Sequence, residues 1–241
     1  MTRISFVLAS FNGAKFIEEQ IDSILMSLGP DDEIVVSDDG STDGTLDIVR
    51  SINDSRIHLI SGGERLNYQG NFARAIAASR GQFIFFSDQD DICLPDRIPL
   101  SLAELAHASC VCGDAVVVDS ILAPMQDSHF AARRAKFGAA WLFVRPAVIG
   151  ATLACTREFL SAHLPFPKGV PHDMWLSIQA ARTGKLAVVA QPLILYRRHQ
   201  SAVSATGATS KRPIIGRLRE RTLLLAAILR PPSKSGQDPL I

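Results

Sequence analysis

A regular alternation of strand and helix patterns runs through the first hundred residues of this 241-residue chain. Apolar runs typical of strands occur at 4–10, 33–39, 57–61 and 82–88, and helical patterns occur at 16–28, 41–52 and 70–79. Strands that are apolar at nearly every position are typical of a sheet that is covered on both faces. The alternation therefore predicts an α/β fold with a mainly parallel, mixed sheet flanked by helices.

The pattern is less regular after residue 100. We predict a helix near 100–108, a strand within 109–119, a polar stretch at 124–139, a helix from 172 to about 183 and one or two strands in 185–199. The tail at 211–241 is basic, then apolar, and is predicted to form a helix followed by a flexible end.

Composition excludes several classes of protein. The chain is 47% hydrophobic and 20% charged with a net charge of +1, which indicates a globular protein and does not favour nucleic-acid binding. No apolar run approaches the roughly 20 residues that span a bilayer, and the first apolar segment is too short for a secretion signal. The four cysteines form neither a zinc pattern nor a disulfide framework, so we expect core residues in a reducing cytoplasm.

The segment "FIFFSDQDDICLPDRI" at 83–98 ends a buried strand in Asp88, Asp90 and Asp91. Carboxylates this close repel one another and need a cation, hydrogen-bond donors or water. The turn is either solvated, a helix cap, or a site for Mg²⁺ or Mn²⁺, which bind carboxylate and phosphate oxygens. Because ligands bind at the carboxyl ends of parallel strands, the polar groups at 10–12 and at 38–39 are expected beside it.

Four motifs that occur in a particular order along the chain indicate its family. They are "VLASFNGAKFIEEQIDSIL", "EIVVSDDGSTDGT", "NYQGNFARAIAASRGQFIFFSDQDD" and "PHDMWL". This set resembles the family 2 glycosyltransferases, which have the GT-A fold, over about residues 3 to 200. The segment "SDQDDICLPDRI" followed much later by "HDMWL" is most similar to the rhamnosyltransferase-type branch.

The resemblance implies a nucleotide-diphosphate-sugar donor. It implies that Asp38 accepts a hydrogen bond from the nucleobase, that Asp39 is its close neighbour, and that Asp88 contacts the ribose or the sugar. The remaining donor-binding residues implied by the resemblance are Ser10, Phe11, Asn71 and Arg74.

The resemblance also implies a divalent cation, Mg²⁺ or Mn²⁺, that bridges the donor diphosphate. Asp90 would hold this cation, and His199 lies where related enzymes carry a histidine near the metal or the diphosphate; a solvated loop histidine is the alternative. Arg197 and Arg198 either meet the diphosphate or are simply exposed.

An inverting transfer needs one carboxylate to deprotonate the acceptor hydroxyl, whereas glycoside hydrolysis needs two carboxyl groups. Asp173 in "PHDMWL" matches the family position of that base, and capping of a helix is its alternative role. Trp141 and Trp175 are expected in the core, with stacking on a sugar as the alternative.

The predicted organisation is one GT-A domain over 1–210, with a nucleotide-binding half at about 1–100 and an acceptor half at 101–210. The resemblance implies surface-polysaccharide assembly, with dTDP-rhamnose as the first donor to test and a saccharide or lipid-linked saccharide as acceptor. The basic and apolar tail at 211–241 either packs on the domain or lies on the inner face of the plasma membrane.

Three other functions fit parts of the sequence. A phosphatase with a D-x-D nucleophile normally has Thr or Val where Ile92 stands, and its motif lies near the N-terminus. A nucleotidyltransferase tends to carry a glycine-rich loop after the first strand, which "ASFNGAKF" is not. A non-catalytic binder of nucleotide sugars would keep the fold without needing Asp173.

Overall fold

A computed structural model of the chain describes residues 3–199 and 214–229. The strands are β1 (Ile4–Ser10), β2 (Glu33–Asp38), β3 (Ile57–Ile60), β4 (Phe83–Asp88), β5 (Ile92–Cys93), β6 (Cys110–Val118), β7 (Pro124–Gln126), β8 (Ala154–Thr156) and β9 (Leu186–Arg197). The helices are α1 (Ile17–Leu25), α2 (Thr45–Ser51), α3 (Asn67–Ala78), α4 (Arg97–Leu105), α5 (His129–Arg133), α6 (Ala139–Val144), α7 (Arg157–His163), α8 (His172–Arg182) and α9 (Ile214–Leu229).

The described strands form one mixed sheet in the order β3-β2-β1-β4-β8-β6-β9-β5, and β7 pairs with β6. The first four strands are parallel, which confirms the strand–helix alternation of the first hundred residues. Strand β8 then lies antiparallel between β4 and β6, while β6 and β9 are parallel. The short strand β5 runs antiparallel to the end of β9 and thereby ties the acidic turn to the last strand of the sheet.

Both faces of the sheet are covered, as the continuous apolar strands predict. Along β1, Val7 packs in one hydrophobic cluster with residues of α3 and α8, while Phe6 and Leu8 pack in a second cluster with α1 and α4. Successive strand side chains point to opposite faces, so an uninterrupted apolar strand requires cover on both. The core therefore consists of two layers separated by the sheet.

The two tryptophans differ in their environments. Trp175 is buried and its indole N–H donates to the carbonyl of His163 at 2.9 Å, which confirms the expected core position. The expectation that Trp141 lies in the core is wrong, because its side chain is 38% exposed on α6 and the Lys136 ammonium lies 4.7 Å from the centre of its ring.

The four cysteines are free and buried, in agreement with their expected place in the core. The helix expected in the C-terminal tail is α9, which buries Leu224 against the domain. Residues 200–213 and 230–241, including the flexible end predicted for the tail, lie outside the described residues. Within the described part of the chain, no helix is both long enough and apolar enough to cross a membrane.

Candidate active site

Three strand ends meet at one edge of the sheet. In the parallel register Ser10 of β1 stands opposite Asp38 of β2, and Ala9 stands opposite Asp88 of β4. Parallel strands that are neighbours in the sheet necessarily bring their carboxyl ends together. The polar groups at 10–12, 38–39 and 88–91 therefore border one cleft, as the sequence predicts.

Asp38 is buried and its carboxylate accepts four hydrogen bonds. Oδ1 accepts from the backbone N–H groups of Gly40 and Ser41 at 3.0 and 2.8 Å. Oδ2 accepts from the hydroxyls of Ser10 and Ser41 at 2.7 and 2.5 Å. A carboxylate has about four acceptor positions, so the protein itself satisfies this one and closes the loop that follows β2 on the end of β1.

Asp39 organises the start of α3. Its two oxygens accept from the backbone N–H groups of Leu66 and Asn67 at 2.6 and 2.9 Å, and Asn67 adopts a positive φ of 62°. The Arg65 guanidinium lies 3.7 Å from the Asp39 carboxylate and 3.8 Å from the centre of the Phe11 ring. Phe11 thus has a cation over its face at the rim of the cleft.

Asn71 and Arg74, on the inner side of α3, hold the ends of β1 and β2. The Asn71 amide donates to the Ser10 carbonyl at 3.1 Å, and the Arg74 guanidinium donates to the Ser37 hydroxyl, the Asp38 carbonyl and the Gly62 carbonyl at 2.5–3.0 Å. Arg74 also donates to Asn71 at 3.0 Å. In this structure both side chains therefore form hydrogen bonds to residues at the ends of the strands.

Gln89 connects the acidic turn with the first strand. Its side-chain amide exchanges two hydrogen bonds with the backbone of Phe11: the Phe11 N–H donates to Oε1 at 2.8 Å, and Nε2 donates to the Phe11 carbonyl at 3.0 Å. This pair fixes the residue between Asp88 and Asp90. Spacing in the sequence does not reveal such a bond, because it joins residues 78 positions apart.

Asp88 lies where three carboxylates converge. Burial, and after it the negative charges of Asp90 and Asp173, together raise its pKa to about 7. A charge can act on a buried carboxyl in this way only at short range. The ring of His172, which precedes Asp173, stacks on Phe86 of β4 at 5.3 Å between ring centres. The structure therefore brings Asp173, which is 85 positions away from Asp88 in the sequence, close to the strand end that carries the acidic turn.

Asp91 lies behind the turn and is completely enclosed. Its Oδ1 accepts from the backbone N–H of Arg197 at 3.0 Å, and its Oδ2 has no hydrogen-bond partner among the described residues. Burial and the charges of Asp90 and Asp88 raise its pKa well above the ordinary value. The turn is consequently short of positive charge and of hydrogen-bond donors.

Two buried arginines border this turn. Arg197 is 4% exposed; its guanidinium donates to the carbonyls of Asp90 and Ser120 at 2.8 and 3.1 Å and pairs with Glu19 at 2.5 Å. Exposure, which was one of the two alternatives for Arg197, is therefore wrong. The reason is that its backbone continues β9 into the interior beside Asp91, where the guanidinium finds carbonyl partners.

Arg97 was missed by sequence reasoning because it occupies an ordinary polar position in "LPDRI". It is fully buried against the Phe6 and Phe85 rings, donates to the Phe86 carbonyl at 2.5 Å, and opposes the charges of Asp88 and Asp91. Its Nε and Nη1 have no hydrogen-bond partners among the described residues. One buried cation thus compensates part of the negative charge from beneath.

His199 and Asp90 lie together at the mouth of the turn. The His199 Nε2 is 2.7 Å from the Asp90 Oδ2, and the Phe16 ring packs on the imidazole at 4.7 Å between ring centres. No group of three His, Cys, Asp or Glu side chains suited to a metal occurs among the described residues. Mg²⁺ and Mn²⁺ usually take only one or two carboxylates and complete their coordination with water and phosphate. The crowded carboxylates and the unpartnered Asp91 oxygen fit such an ion.

Asp173 is in the first turn of α8, where its Oδ1 accepts from the N–H of Met174 at 2.8 Å. The residue at the N-cap is Pro171, so Asp173 is not itself the cap. His172 beside it is buried against Phe72 and Phe86, and neither ring nitrogen has a partner among the described residues. Burial lowers the pKa of His172 and favours the neutral imidazole.

A glycine keeps the start of α8 close to the sheet. A Cβ placed on Gly150 would lie 2.7 Å from the His172 Nε2 and 3.5 Å from the Asp173 Cβ. The first distance is shorter than any side chain tolerates, so a larger residue would displace the segment that carries Asp173. Sequence reasoning assigned no role to Gly150, since only the packing reveals it.

The sheet order and the polar edge define the GT-A class of α/β fold. Solved structures of that class match the chain: TarS of S. aureus in complex with UDP-GlcNAc has a TM-score of 0.67 at 17% identity, covering 85% of this chain and 62% of that one. A mannosyltransferase of Pyrobaculum calidifontis in complex with GDP-Man and Mn²⁺ has a TM-score of 0.66 at 22% identity, covering 98% and 66%.

The family model described as "Glycosyl transferase family 2" matches residues 5–161, and the chain belongs to this family. It is 27% identical over 228 residues to an uncharacterized glycosyltransferase of Nostoc, covering 87% of this chain and 69% of that one. It is 28% identical over 214 residues to the dTDP-rhamnosyl transferase RfbG of Shigella flexneri, covering 80% and 72%.

The matches differ in how much of each relative they include. The succinoglycan biosynthesis protein ExoO of Rhizobium meliloti is 36% identical over 118 residues, which is 49% of this chain and 33% of that protein. The chain thus spans between a third and about seven tenths of the relatives described here. The family and the fold follow from these matches, and the donor, the acceptor and the residue roles require separate support.

Proposed function

We propose that this chain is a metal-dependent, inverting glycosyltransferase that moves a sugar from a nucleoside-diphosphate donor to a hydroxyl acceptor. The observation that carries the proposal is the convergence of Asp88, Asp90 and Asp173 on one cleft at the carboxyl ends of the parallel strands. The anomeric carbon of the donor is bonded to the diphosphate. When the diphosphate is bound beside Asp90, this carbon would therefore lie between the diphosphate and the base. A D-x-D phosphatase has no need for Asp173 in that place.

Asp173 is the proposed base. Its Oδ1 is used by the Met174 N–H, which leaves Oδ2 to accept the proton of the acceptor hydroxyl as that oxygen attacks the anomeric carbon. The carboxylate is held by the first turn of α8, whose N–H groups stabilise its negative charge. Because one face of the sugar is attacked while the nucleotide leaves from the other, a single carboxylate is sufficient and the anomeric configuration inverts.

Asp90 and His199 are the proposed protein ligands of the divalent cation, with Asp88 beside them toward the ribose or sugar. When bound, such a cation neutralises the diphosphate and stabilises its departure. The chain contributes the acidic turn, which Gln89 and Arg197 hold in place through the backbone of Phe11 and Asp90. The same charge would relieve the repulsion between Asp88 and Asp90.

Asp38 is the proposed contact of the nucleobase, with Ser10 and Phe11 lining the pocket and Asp39, Asn71 and Arg74 supporting it. The four donors on Asp38 mean that a base N–H must replace one of them. The hydroxyl of Ser10 or Ser41 can rotate toward another acceptor, whereas the backbone N–H groups of Gly40 and Ser41 cannot.

The proposed donor to test first is dTDP-rhamnose, and the proposed setting is surface-polysaccharide assembly on the inner face of the plasma membrane. Support for both comes from the sequence motifs and from RfbG, which carries dTDP-rhamnosyl transfer in its name. A relative in Escherichia coli, 33% identical over 98 residues, is named for glucosyl transfer to a diphosphoundecaprenol-linked sugar. We accordingly propose a saccharide acceptor, free or linked to a lipid.

Peripheral contact with an anionic membrane through α9 belongs to the same proposal. Leu218, Leu225 and Leu229 lie on one side of this helix and are 61%, 48% and 72% exposed, with Arg217 and Arg219 exposed near its start. Exposed leucines flanked by arginines suit the boundary between head groups and acyl chains. Binding to vesicles that contain phosphatidylglycerol, and its loss in Leu225→Glu/Leu229→Glu, tests this contact; equal binding by both proteins would oppose it.

The donor site is tested by thermal unfolding with UDP, GDP, dTDP and their sugars, each with and without Mn²⁺. A ligand that binds only the folded chain raises its stability by mass action. We expect one nucleotide to raise the Tm in a Mn²⁺-dependent manner, and Asp90→Asn to abolish the Mn²⁺ dependence. No response to any nucleotide would count against the whole proposal.

The base is tested by Asp173→Asn, with the anomeric configuration of the product determined by NMR. Loss of a general base should lower kcat by about 10²–10⁴-fold with unchanged Mn²⁺-dependent donor binding. Undiminished transfer by Asp173→Asn, or a product that retains the donor configuration, would remove Asp173 from the mechanism. Donor binding without transfer in the unsubstituted chain would instead identify a non-catalytic binder.

A further inference from the structure

The first turns of α3 form hydrogen bonds to both halves of the proposed site. On the nucleotide side, the Asn71 amide donates to the Ser10 carbonyl at the end of β1 at 3.1 Å. On the side of α8, Gln69 is half-buried and its side-chain amide donates to the carbonyl of Val170. One stretch of helix therefore joins the proposed donor pocket to the segment that leads into the proposed base.

The Gln69 amide holds the turn that precedes α8. Besides donating to the Val170 carbonyl, its Nε2 lies 3.5 Å from the carbonyl of Pro167. The turn is closed by its own backbone, because the Val170 N–H donates to the Pro167 carbonyl at 3.2 Å. The Val170 side chain is fully buried in the core. Gln69 thus binds a fixed part of the backbone, three positions before Asp173.

The Val170 carbonyl lies at a particular position relative to α8. In an α-helix an N–H group donates to the carbonyl four residues earlier, so Val170 would be the main-chain acceptor for the Met174 N–H. That N–H donates instead to the Asp173 Oδ1 at 2.8 Å. Gln69 supplies the Val170 carbonyl with a different donor and thereby leaves the Met174 N–H to the carboxylate.

Ring packing at the start of α8 restricts its orientation less than this hydrogen bond does. The His172 ring packs on Phe72 and Phe86 at 4.6 and 5.3 Å between ring centres. Neither of its nitrogens has a hydrogen-bond partner among the described residues. Packed rings adopt a range of offset and tilted arrangements, whereas a hydrogen bond weakens steeply away from its preferred angle. The bond from Gln69 therefore restricts how the turn before α8 is oriented against α3.

We propose that Gln69 is a positioning residue for Asp173, and this inference rests on the proposed function. By occupying the Val170 carbonyl, Gln69 keeps the Met174 N–H on the Oδ1 of Asp173. The Oδ2 of Asp173 is then held in one orientation for the acceptor hydroxyl. A displacement of about 1 Å in a catalytic geometry can cost about a hundredfold in rate. The Gln69 bond therefore contributes to the rate of transfer although Gln69 itself does not touch the substrate.

The structural part of the inference is tested by NMR of the Met174 amide in the full chain without ligands. Gln69→Met keeps the length of the side chain and removes its N–H donor. The Val170 carbonyl would then compete for the Met174 N–H. We expect the Met174 amide resonance to move toward its position in Asp173→Ala, where the side-chain acceptor is absent. A Met174 resonance that Gln69→Met leaves unchanged would overturn the inference.

Two further variants serve as controls, and thermal unfolding first establishes that each variant is folded. Gln179→Met is the matched control, because Gln179 lies on α8 itself and accepts from Arg182 at 3.0 Å at the end of the helix away from Asp173. It should leave the Met174 resonance in place. Gln69→Lys retains an N–H donor on a side chain of similar length, and we expect it to restore the resonance of the unsubstituted chain.

The kinetic part uses hydrolysis of the donor, in which water takes the place of the acceptor. The substrate is the nucleotide sugar that raises the Tm in the presence of Mn²⁺. We expect Gln69→Met to lower kcat by about tenfold and to leave the KM for the donor within about twofold. Gln179→Met should change neither constant, and Gln69→Lys should restore kcat.

The division between kcat and nucleotide affinity separates positioning from a general structural defect. A loss of nucleotide affinity in Gln69→Met as large as the loss of kcat would overturn the positioning role. Failure of the unsubstituted chain to bind any nucleotide sugar with Mn²⁺ would instead refute the proposed function. The Met174 resonance would still decide whether Gln69 holds the start of α8, because that measurement requires no ligand.

Discussion

The acidic groups that follow β2 and β4 lie at the same edge of one sheet but are satisfied in opposite ways. Asp38 accepts four hydrogen bonds and Asp39 accepts two from backbone N–H groups. At the end of β4, Asp88, Asp90 and Asp91 repel one another, and one Asp91 oxygen has no partner among the described residues. The protein itself satisfies the first pair, whereas the negative charge of the second group is only partly compensated, by Arg97. Two similar clusters of aspartates in the sequence therefore differ in the structure: one has its hydrogen bonds satisfied, and the other retains mutual repulsion.

The contrast between the two groups of aspartates predicts that substitution of Asp38 causes the largest change in the free energy of unfolding. Asn at this position can accept only two of the four hydrogen bonds, so two buried donors lose their partner. Each costs about 1–3 kcal/mol, and we expect Asp38→Asn to lower the free energy of unfolding by about 2–6 kcal/mol. Urea unfolding at pH 8 measures the change, and a loss below about 1 kcal/mol would show that the loop after β2 is not held by this carboxylate.

Asp39→Asn should have a smaller effect of the same sign. The substitution leaves one of the two N–H groups at the start of α3 facing an amide NH₂ group, and we expect a loss of about 1–2 kcal/mol. Hydrogen exchange of the Leu66 and Asn67 amides locates the effect. Unchanged protection of both amides would contradict the assignment of Asp39 as their acceptor.

Asp88→Asn should raise the free energy of unfolding, in contrast to the substitutions of Asp38 and Asp39. The unfolded carboxyl has a pKa of 3.8 and the folded one about 7, so between these values the folded state holds the additional proton. The contribution of Asp88 to the stability of the unsubstituted chain in EDTA therefore falls as the pH rises from about 4 to about 7 and is constant above. Asp88→Asn removes this dependence, and we expect a gain of about 1 kcal/mol at pH 8 because Asp88 is partly exposed. A loss of stability at pH 8 would contradict the proposed repulsion.

Arg65→Ala should give the smallest effect. Its guanidinium is 62% exposed, so its contacts with Phe11 and Asp39 contribute at most about 0.5–1 kcal/mol. Nucleotide affinity is the more informative measurement, because removal of the cation uncovers the Phe11 ring. A nucleotide affinity unchanged by both Arg65→Ala and Phe11→Ala would place the base elsewhere than beside Phe11.

The sequence predicts the first half of the fold well and the second half less completely. The continuous apolar runs at 4–10, 33–39 and 82–88 are sufficient to predict buried strands. The alternation of these strands with helices predicts that Asp38 and Asp88 lie at one edge of the sheet. The insertion of β8 between β4 and β6 depends on pairing between distant segments, which no local pattern encodes. The burial of Arg197 and the exposure of Trp141 are likewise consequences of packing, which residue type alone does not reveal.

The proposed site shows the same limit. Motifs select the carboxylates at 38, 88, 90 and 173, because the motifs that contain them resemble, in their order, those of the family 2 glycosyltransferases. They do not select Arg97, Gln89 or Gly150, whose effects come from burial, from a bond to a distant backbone and from the absence of a side chain. Supporting residues of this kind become visible only when the chain is folded.

Arg197 has a consequence for how the protein is made. It joins Glu19, the acidic turn and Ser120, so the turn at 88–91 acquires its final anchor from a residue more than a hundred positions downstream. During synthesis the first hundred residues can leave the ribosome with their strands formed and with the turn held by Gln89 but not yet by Arg197. The proposed donor cleft is completed only when the last strand is made, and a fragment that ends before this strand would contain every motif but lack the complete site.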